Sequence, residues 1–583
     1  MNFVRTSVAT AAAVLLACAG ASHAAGTTSR ADELKQLRLQ EKQSTNFYKA
    51  YFPDLETAHK AAISFHNEMI EAHYDQGYLV MQLEPAQMAS LRGFGFRFER
   101  ATEFIAQRNQ IVDLIQQAAD ARQRAGGKAE DASIQSIPGY PCYPTVEETF
   151  ATAQGYTVTY PTLAKWVDVG DSWQKTHNLG GYDMNVLQMT NSAKPGPKPI
   201  LFITAAIHAR EYTTSPVALA FADWLLTGYG TDPDATWILD NEEVHIMLQS
   251  NPDGRKMAEA GLLWRKNTDT AYCSPTSNNR GADLNRNFSF MWNSTGGQGS
   301  SGNQCNDTYR GPSPSSEPET QAMEAYMRGL WPDSRGPNLG DGAPPDTSGI
   351  HIDIHSDADM VLWPWGETEQ PTGNATAFQT MGRRLAFYNG YWPSQSIGLY
   401  PTDGTSDGPS YGELGIASFT IEQGNAFFEK CSYYERNTKP TNLAALKYAA
   451  RVVRAPYLLP EGPDVTSIAL SAKAAGVAAG VPVTLTASIT DTQFNDTNGT
   501  QPRENVVAAE AYIDTPPWVA GAVAIPLAAS DGSFDSVTEQ ATGTLATRGL
   551  AAGKHLVFVR GKVSSGQFGP VSAAFLTIRG RTE

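Results

Sequence analysis

The chain has 583 residues, with 44 Lys and Arg against 60 Asp and Glu, and therefore a net charge of −16. This length exceeds what one hydrophobic core organises and predicts several domains. With 18% charged and 10% aromatic residues, the composition excludes a disordered chain. The acidity argues against nucleic acid or an anionic membrane surface as the main partner, because both attract clustered cations.

The first 24 residues are typical of an export signal. Arg5 supplies a positive start, residues 7–20 are small and apolar, and Ser22 and Ala24 are small residues that suit a cleavage site. Lipid attachment at Cys18 is the alternative, because residues 15–18 loosely resemble a lipoprotein box. No other apolar stretch approaches the ~20 residues that cross a bilayer, so no transmembrane segment is expected. We therefore expect a secreted or periplasmic protein.

Secondary-structure patterns divide the remaining chain into four stretches. Residues 30–120 alternate short strands and helices, which predicts a small α+β domain, and residues 121–139 are polar and aperiodic, as in an exposed, cleavable linker. Residues 140–455 alternate longer strands and helices, which predicts an α/β domain with a mixed, largely parallel sheet. Residues 463–583 carry only strand signals between turns and predict an immunoglobulin-like β-sandwich.

Candidate metal ligands follow two buried strands of the α/β domain. His208 and Glu211 come directly after the apolar strand at 200–206, at the strand end where α/β sheets place their sites. Zinc in hydrolases takes three protein ligands and leaves one position for water, so a third ligand is needed. His355 ends the apolar strand at 350–354 and is the candidate, whereas His351 on the same strand is interpreted as structural. Without a third ligand, His208 and Glu211 also fit an exposed polar turn.

A candidate base and two arginines complete the chemistry. Glu422 ends the apolar strand at 418–421, where an ionised carboxylate is costly to bury unless a cation such as zinc lies nearby. Arg265 and Arg286 each have an Asn close in sequence, and a guanidinium beside an amide suits bidentate capture of a carboxylate. An enzyme that recognises the free terminal carboxylate of a peptide would cleave the peptide at its C-terminal end.

In this order the motifs resemble the zinc carboxypeptidases related to carboxypeptidases A, B and T. The resemblance spans the α/β stretch, and the motifs that carry it are His208 to Glu211 with an Arg between them, Asn251-Pro252-Asp253-Gly254, Trp264-Arg265, residues 283–287, Tyr309-Arg310-Gly311, His355-Ser356 and the strand at 418–422. It implies a mixed, largely parallel eight-stranded sheet flanked by helices.

The resemblance also implies the metal centre. One Zn²⁺ would be held by His208, Glu211 and His355, with Asp283 orienting the first histidine. Glu422 would act as the general base toward a zinc-activated water, and the enzyme would hydrolyse the C-terminal peptide bond of peptides or proteins.

Substrate contacts are implied at five further positions. Arg210 and Arg265 would polarise the scissile carbonyl and hold the oxyanion. Asn285, Arg286 and Tyr400 would bind the terminal carboxylate of the substrate, with the tyrosine on a mobile flap.

Two further acidic positions bear on substrate specificity. Asp357 stands two residues after the last zinc ligand, where many relatives carry Tyr. Asp407 falls at the position of the family's specificity residue and implies a preference for C-terminal Lys or Arg. Trimming of peptidoglycan peptides is an alternative within the same chemistry. A non-catalytic adhesion protein is a further alternative, and it predicts substitution of a ligand or of the base.

Four cysteines remain once Cys18 leaves with the signal, and an even count in an exported protein favours two disulfides. The resemblance pairs Cys273 with Cys305, which leaves Cys142 for Cys431.

Residues 30–120 resemble the family's pro-segments, which implies an inactive zymogen cleaved between about Arg122 and Pro138. A folding aid or an accessory domain is the alternative. The partner of the C-terminal domain, the natural substrate and the oligomeric state stay open.

Overall fold

A computed structural model describes residues 29–124 and 136–580. The predicted signal, with Cys18, and most of the predicted linker lie outside the described residues. The helices run, in chain order, α1 Arg30–Gln43, α2 Leu55–Ser64, α3 Pro85–Gly93, α4 Thr102–Arg124, α5 Val146–Thr159, α6 Trp173–Thr176, α7 Thr214–Gly228, α8 Pro233–Asn241, α9 Pro252–Glu259, α10 Pro318–Leu330, α11 Ala375–Asn389, α12 Cys431–Tyr433 and α13 Lys439–Val452.

The strands form three sheets. Their bounds are β1 Phe47–Tyr51, β2 Met69–His73, β3 Tyr78–Gln82, β4 Arg97–Arg100, β5 Ala164–Asp171, β6 Asp183–Met189, β7 Ile200–Ala205, β8 Glu243–Met247, β9 Ile350–His355, β10 Met360–Trp363, β11 Trp392–Gln395, β12 Ala417–Glu422, β13 Asp464–Leu470, β14 Val477–Ala478, β15 Val483–Thr490, β16 Val506–Ile513, β17 Ile525–Ala529, β18 Thr538–Leu545, β19 Gly553–Val563 and β20 Ser572–Arg579.

The N-terminal sheet has the order β2-β3-β1-β4 and is antiparallel throughout. Local sequence sets the helices beside it. Asp54 caps α2 by accepting a hydrogen bond from the Thr57 N–H. Pro85 opens α3 behind a reciprocal capping box of Glu84 and Gln87. Helix α2 ends at Ser64, and a four-residue turn leads from it into β2, the edge strand of the sheet.

The central sheet has the order β11-β10-β12-β9-β7-β8-β6-β5, and its four middle strands are parallel. Alternating side chains of β7 supply two cores: Leu201 and Ile203 pack on one face, and Phe202 packs on the other with Met323 of α10. The predicted mixed, largely parallel sheet of eight strands flanked by helices is therefore confirmed.

The C-terminal strands form one curled sheet, in the order β13-β15-β18-β17-β16-β19-β20-β14. Inward residues from both of its halves share one core, so the predicted all-β character is confirmed. This sheet also packs against the α/β domain, where Trp237 of α8 contacts Trp518 and Phe558. Arg384 of α11 is fully buried between Asp464 and Asp491 of the C-terminal region, at 2.8 Å from each.

Two disulfides join Cys142 to Cys431 and Cys273 to Cys305, as predicted. Within the ranges that the structure describes, we find no helix of the length and apolar character needed to cross a bilayer.

Candidate active site

Three neighbouring parallel strands end at the same edge of the central sheet. β9 ends at His355 and β12 at Glu422, and these two residues are paired in the register of the strands. β7 lies on the other side of β9 and ends at Ala205, opposite Ile354. The loop after β7 therefore emerges beside His355, and this loop carries His208 and Glu211. The carboxyl edge of the sheet brings the predicted ligands and the predicted base together.

The three predicted metal ligands have their donor atoms within reach of one ion. His208 Nδ1 lies 2.7 Å from Glu211 Oε1, and His355 Nδ1 lies 3.1 Å from His208 Nδ1. The distance from His355 Nδ1 to Glu211 Oε2 is 3.2 Å. All three residues are at most 1% exposed. A tetrahedral zinc ion with bonds of ~2.0–2.1 Å separates its ligand atoms by roughly 3.3 Å, which these distances approach.

Each histidine presents its second ring nitrogen to a carboxylate. His208 Nε2 lies 3.2 Å from Asp283 Oδ1, and His355 Nε2 lies 2.9 Å from Asp353 Oδ2. Zinc-binding histidines are oriented in this way, because the acid fixes the tautomer and raises the basicity of the ligating nitrogen. Sequence reasoning missed Asp353, although its position two residues before His355 puts both side chains on one face of β9.

The charges around these residues fit a divalent cation. Four buried carboxylates lie around these residues: Glu211 contacts both histidines, Asp283 and Asp353 contact their outer nitrogens, and Glu422 is paired with His355 in the strand register. Arg265 donates two hydrogen bonds, of 2.9 and 3.0 Å, to one carboxylate oxygen of Asp283. Two imidazoles and one carboxylate form the donor set of a catalytic zinc site, and an ion held by them would compensate the remaining negative charge.

The electrostatics keep three of these acids ionised. Burial opposes ionisation of Asp353, but the neighbouring His355 lowers the pKa of its carboxyl to about 2. Burial opposes ionisation of Asp283, but Arg265 and His208 hold the pKa of its carboxyl far below the ordinary value. Burial likewise opposes ionisation of Glu211, and the two imidazoles of the site nevertheless hold its pKa well below the ordinary value.

For Glu422, in contrast, the surroundings favour the protonated acid. Its burial, followed by the nearby charges of Glu211 and Asp357, raises its pKa well above the ordinary value. Glu422 Oε2 and Arg265 Nη1 are buried and have no hydrogen-bond partner among the residues that the structure describes. A carboxyl oxygen and a hydrogen-bond donor are thus free beside the candidate metal site, and a cation bound there would favour the ionised form of Glu422, which accepts a proton.

Asn285, Arg286, Asp407 and Glu422 line one cavity next to the ligands. Arg286 is 5% exposed and donates hydrogen bonds to the backbone carbonyls of Gly299 and Asn285. These contacts fix its guanidinium at the wall of the cavity.

Two predicted substrate-binding residues contact the N-terminal domain instead. The Tyr400 hydroxyl lies 2.6 Å from Ser90 Oγ, and its ring packs against Phe65 and Phe94. Arg210 donates a 2.7 Å hydrogen bond to the backbone carbonyl of Asn67. The roles of both residues stay predictions.

A residue absent from the sequence analysis, His66, lies inside the site. It belongs to the turn between α2 and β2, and its Nε2 lies 3.2 Å from Glu211 Oε1. No local pattern marks this histidine, because its position depends on how the N-terminal domain packs on the central sheet.

Comparison with known proteins gives concordant results. A family model described as zinc carboxypeptidase matches residues 151–439. A zinc carboxypeptidase of Saccharothrix mutabilis subsp. capreolus is 30% identical over 382 residues, which cover 62% of this chain and 78% of that protein. Human carboxypeptidase A5 is 29% identical over 270 residues, covering 45% of this chain and 54% of that protein, so the chain spans about half of its length.

Among solved structures, the carboxypeptidase A from Helicoverpa armigera has a TM-score of 0.51 and 19% identity. The match covers 70% of this chain and 97% of that chain, and it shows a shared fold.

Replacement of Asp283 tests the metal centre. We expect Asp283→Asn to weaken zinc binding by about 10–100-fold, because His208 loses the carboxylate that orients it. Competition with a chromophoric chelator measures the change. Asp240→Asn is the control, since Asp240 is also buried but bonds to Lys194 and Asn191. Equal zinc affinity in both variants would contradict the assignment.

Proposed function

Because the chain belongs to the zinc carboxypeptidase family and is a zinc metallocarboxypeptidase, we propose that it releases C-terminal residues at the edge of the central sheet, with His208, Glu211 and His355 as the ligands of Zn²⁺. The convergence of these three side chains beside Glu422 supports the proposal. When bound, zinc polarises the scissile carbonyl and lowers the pKa of water.

Glu422 moves the proton in this proposal. Its carboxylate accepts a proton from the attacking water and returns it to the leaving amine. The oxyanion that forms at the carbonyl accepts a hydrogen bond from the free Nη1 of Arg265, whose other nitrogens are held by Asp283. Because the arginine is fixed before substrate binds, little reorganisation is needed when the charge develops.

Recognition of the chain end is assigned to Asn285 and Arg286. Arg286 is held at the cavity wall by backbone carbonyls, so its position is set before a substrate carboxylate arrives. Tyr400 can join them only after its contact with Ser90 is broken.

The base can be tested directly. We expect Glu422→Gln to retain zinc and to lose ~10³-fold in kcat, because the amide cannot accept the proton. Metal analysis together with release of a C-terminal residue measures both properties in the processed chain.

Glu319→Gln is the matched control. Burial raises the pKa of Glu319 to about 8, so the amide changes little there, and this acid lies outside the site. Near-normal turnover of the Glu422 variant would remove Glu422 from the mechanism.

We further propose a preference for basic C-terminal residues. Asp407 lines the cavity that Arg286 also lines, and two more acids, Glu367 and Asp403, lie near it. Burial, followed by the Asp407 charge, raises the pKa of Glu367 to about 7. Each of these two neighbours has a buried oxygen without a partner among the described residues. A cationic side chain would relieve this accumulation of negative charge.

The preference has a two-substrate test. Peptides that end in Arg should be hydrolysed faster than peptides that end in Phe. Asp407→Asn should lower kcat/KM for the Arg peptide by roughly 30-fold or more, because a buried cation loses its partner, and should spare the Phe peptide. A strong preference for Phe in the unaltered enzyme would refute this assignment.

The N-terminal domain is proposed to keep the enzyme latent. Ala72 of β2 donates a 2.8 Å backbone hydrogen bond to Asn425, so the edge strand of that domain joins the loop after β12. The turn at 65–68 enters the site, and its neighbour Ser64 accepts a hydrogen bond from the backbone N–H of Tyr400. A substrate would need the same space.

Latency predicts a difference between two forms of the chain. We expect the uncleaved chain to release little of the C-terminal residue from a peptide that the processed chain hydrolyses, because residues 65–68 fill the site. Progress curves before and after cleavage between about Arg122 and Pro138 measure the effect. Full activity of the uncleaved chain would contradict it.

Secretion or export to the periplasm is proposed as the location. Two disulfides support it, because such bonds persist in oxidising compartments.

A further inference from the structure

His66 is the one residue of the N-terminal domain whose side chain reaches the candidate zinc ligands among those that the structure describes. One donor atom each from His66, His208, Glu211 and His355 lie within 4.8 Å of one another, and all four residues are buried. The pair His66 Nε2 and Glu211 Oε1, at 3.2 Å, has the separation of two ligands on one tetrahedral ion, roughly 3.3 Å.

The rings converge on the same spot from three directions. The His66 ring centroid lies 5.8 Å from that of His208 and 6.2 Å from that of His355, and the planes of His66 and His355 are at 88°. These separations leave room for one small ion at the centre and place no ring on top of another.

The second nitrogen of His66 also faces a carboxylate, but it does not form a hydrogen bond with it. His66 Nδ1 is buried, has no hydrogen-bond partner within the described part of the chain, and faces Glu422 Oε1 at 3.8 Å. His208 and His355 likewise present one nitrogen to the centre and the other to a carboxylate. In zinc-bound histidines, the ring nitrogen that does not bind the metal commonly lies next to a carboxylate.

The turn that carries His66 is held firmly in place. Within it, the N–H of Phe65 donates to Ala61 and the N–H of Met69 donates to Phe65. Across the interface, Arg210 donates to the carbonyl of Asn67, the residue next to His66. The turn is therefore held both from within its own domain and by the α/β domain, and the position of His66 does not depend on the ion alone.

We propose that His66 is a fourth zinc ligand supplied by the N-terminal domain, occupying the position that water needs. The inference rests on the proposed zinc site and deepens the proposed latency. It assigns to one imidazole two effects in the uncleaved chain: the open coordination position is filled, and Glu422 faces a ring nitrogen where the attacking water would stand. Removal of the domain would undo both effects in one step.

Counting the metal-bound histidines tests the proposal without measuring turnover. The full chain is loaded with Co²⁺ in place of zinc, and paramagnetically shifted proton NMR signals of imidazole N–H groups are recorded. We expect three such signals in the uncleaved chain, two in uncleaved His66→Gln and two in the processed chain. A second readout, the rate at which a chelator removes zinc from the uncleaved chain, should rise at least ~10-fold in His66→Gln, because one ligand is lost.

His59→Gln is the matched control. His59 belongs to the same domain and stacks on Trp392 at 4.6 Å, away from the ligands. It should retain three signals and the slow release of zinc, and circular dichroism checks that both variants are folded. Two signals in the unaltered uncleaved chain, or release rates equal in the two variants, would overturn the proposal.

The outcomes separate this inference from the proposed function. If the processed chain shows two signals and hydrolyses peptides while His66→Gln changes nothing, only the role of His66 fails. If no form of the chain gives shifted signals, the zinc site itself fails.

Discussion

The site depends on one electrostatic constraint: four buried carboxylates meet at the carboxyl edge of three parallel strands, and they need a cation. Glu211, Asp283, Asp353 and Glu422 are brought there by the register of β7, β9 and β12 and by the segments that follow them. Burying ionised carboxylates costs several kcal/mol each without compensation. Arg265 compensates one of them directly. In the proposed site, a divalent ion between the two imidazoles and Glu211 would compensate the others, so the ion that supports catalysis would also lower the cost of burying these acids.

The N-terminal domain contacts the same site. His66 places a neutral imidazole beside Glu211, Asn67 contributes its backbone carbonyl to Arg210, and Ser90 contacts the hydroxyl of Tyr400. The side chains of Arg210 and Tyr400 are two of the predicted substrate contacts. An N-terminal domain that binds in this way would compete with substrate for individual hydrogen bonds as well as for space, which gives the proposed latency a residue-level explanation.

The sequence predicted the parts of the fold and site that follow from local pattern. Continuous apolar strands ending in His355 and Glu422 are visible in the sequence because buried parallel strands are apolar along their length. Asp353 was readable from its spacing to His355 but was missed. His66 could not be found in this way, because the short strand β2 that follows it has no clear alternation and its contact with residues 425–427 is tertiary. The contacts of Tyr400 with Phe65 and Phe94 are tertiary for the same reason.

Locating the ion tests the account most directly. A crystal of the full chain grown with zinc, with diffraction recorded on both sides of the zinc absorption edge, would give an anomalous difference map. The account predicts one strong peak at ~2.0–2.2 Å from His208 Nδ1, His355 Nδ1 and a Glu211 oxygen. A peak at another place on the chain, or none among these three side chains at full zinc occupancy in solution, would contradict it.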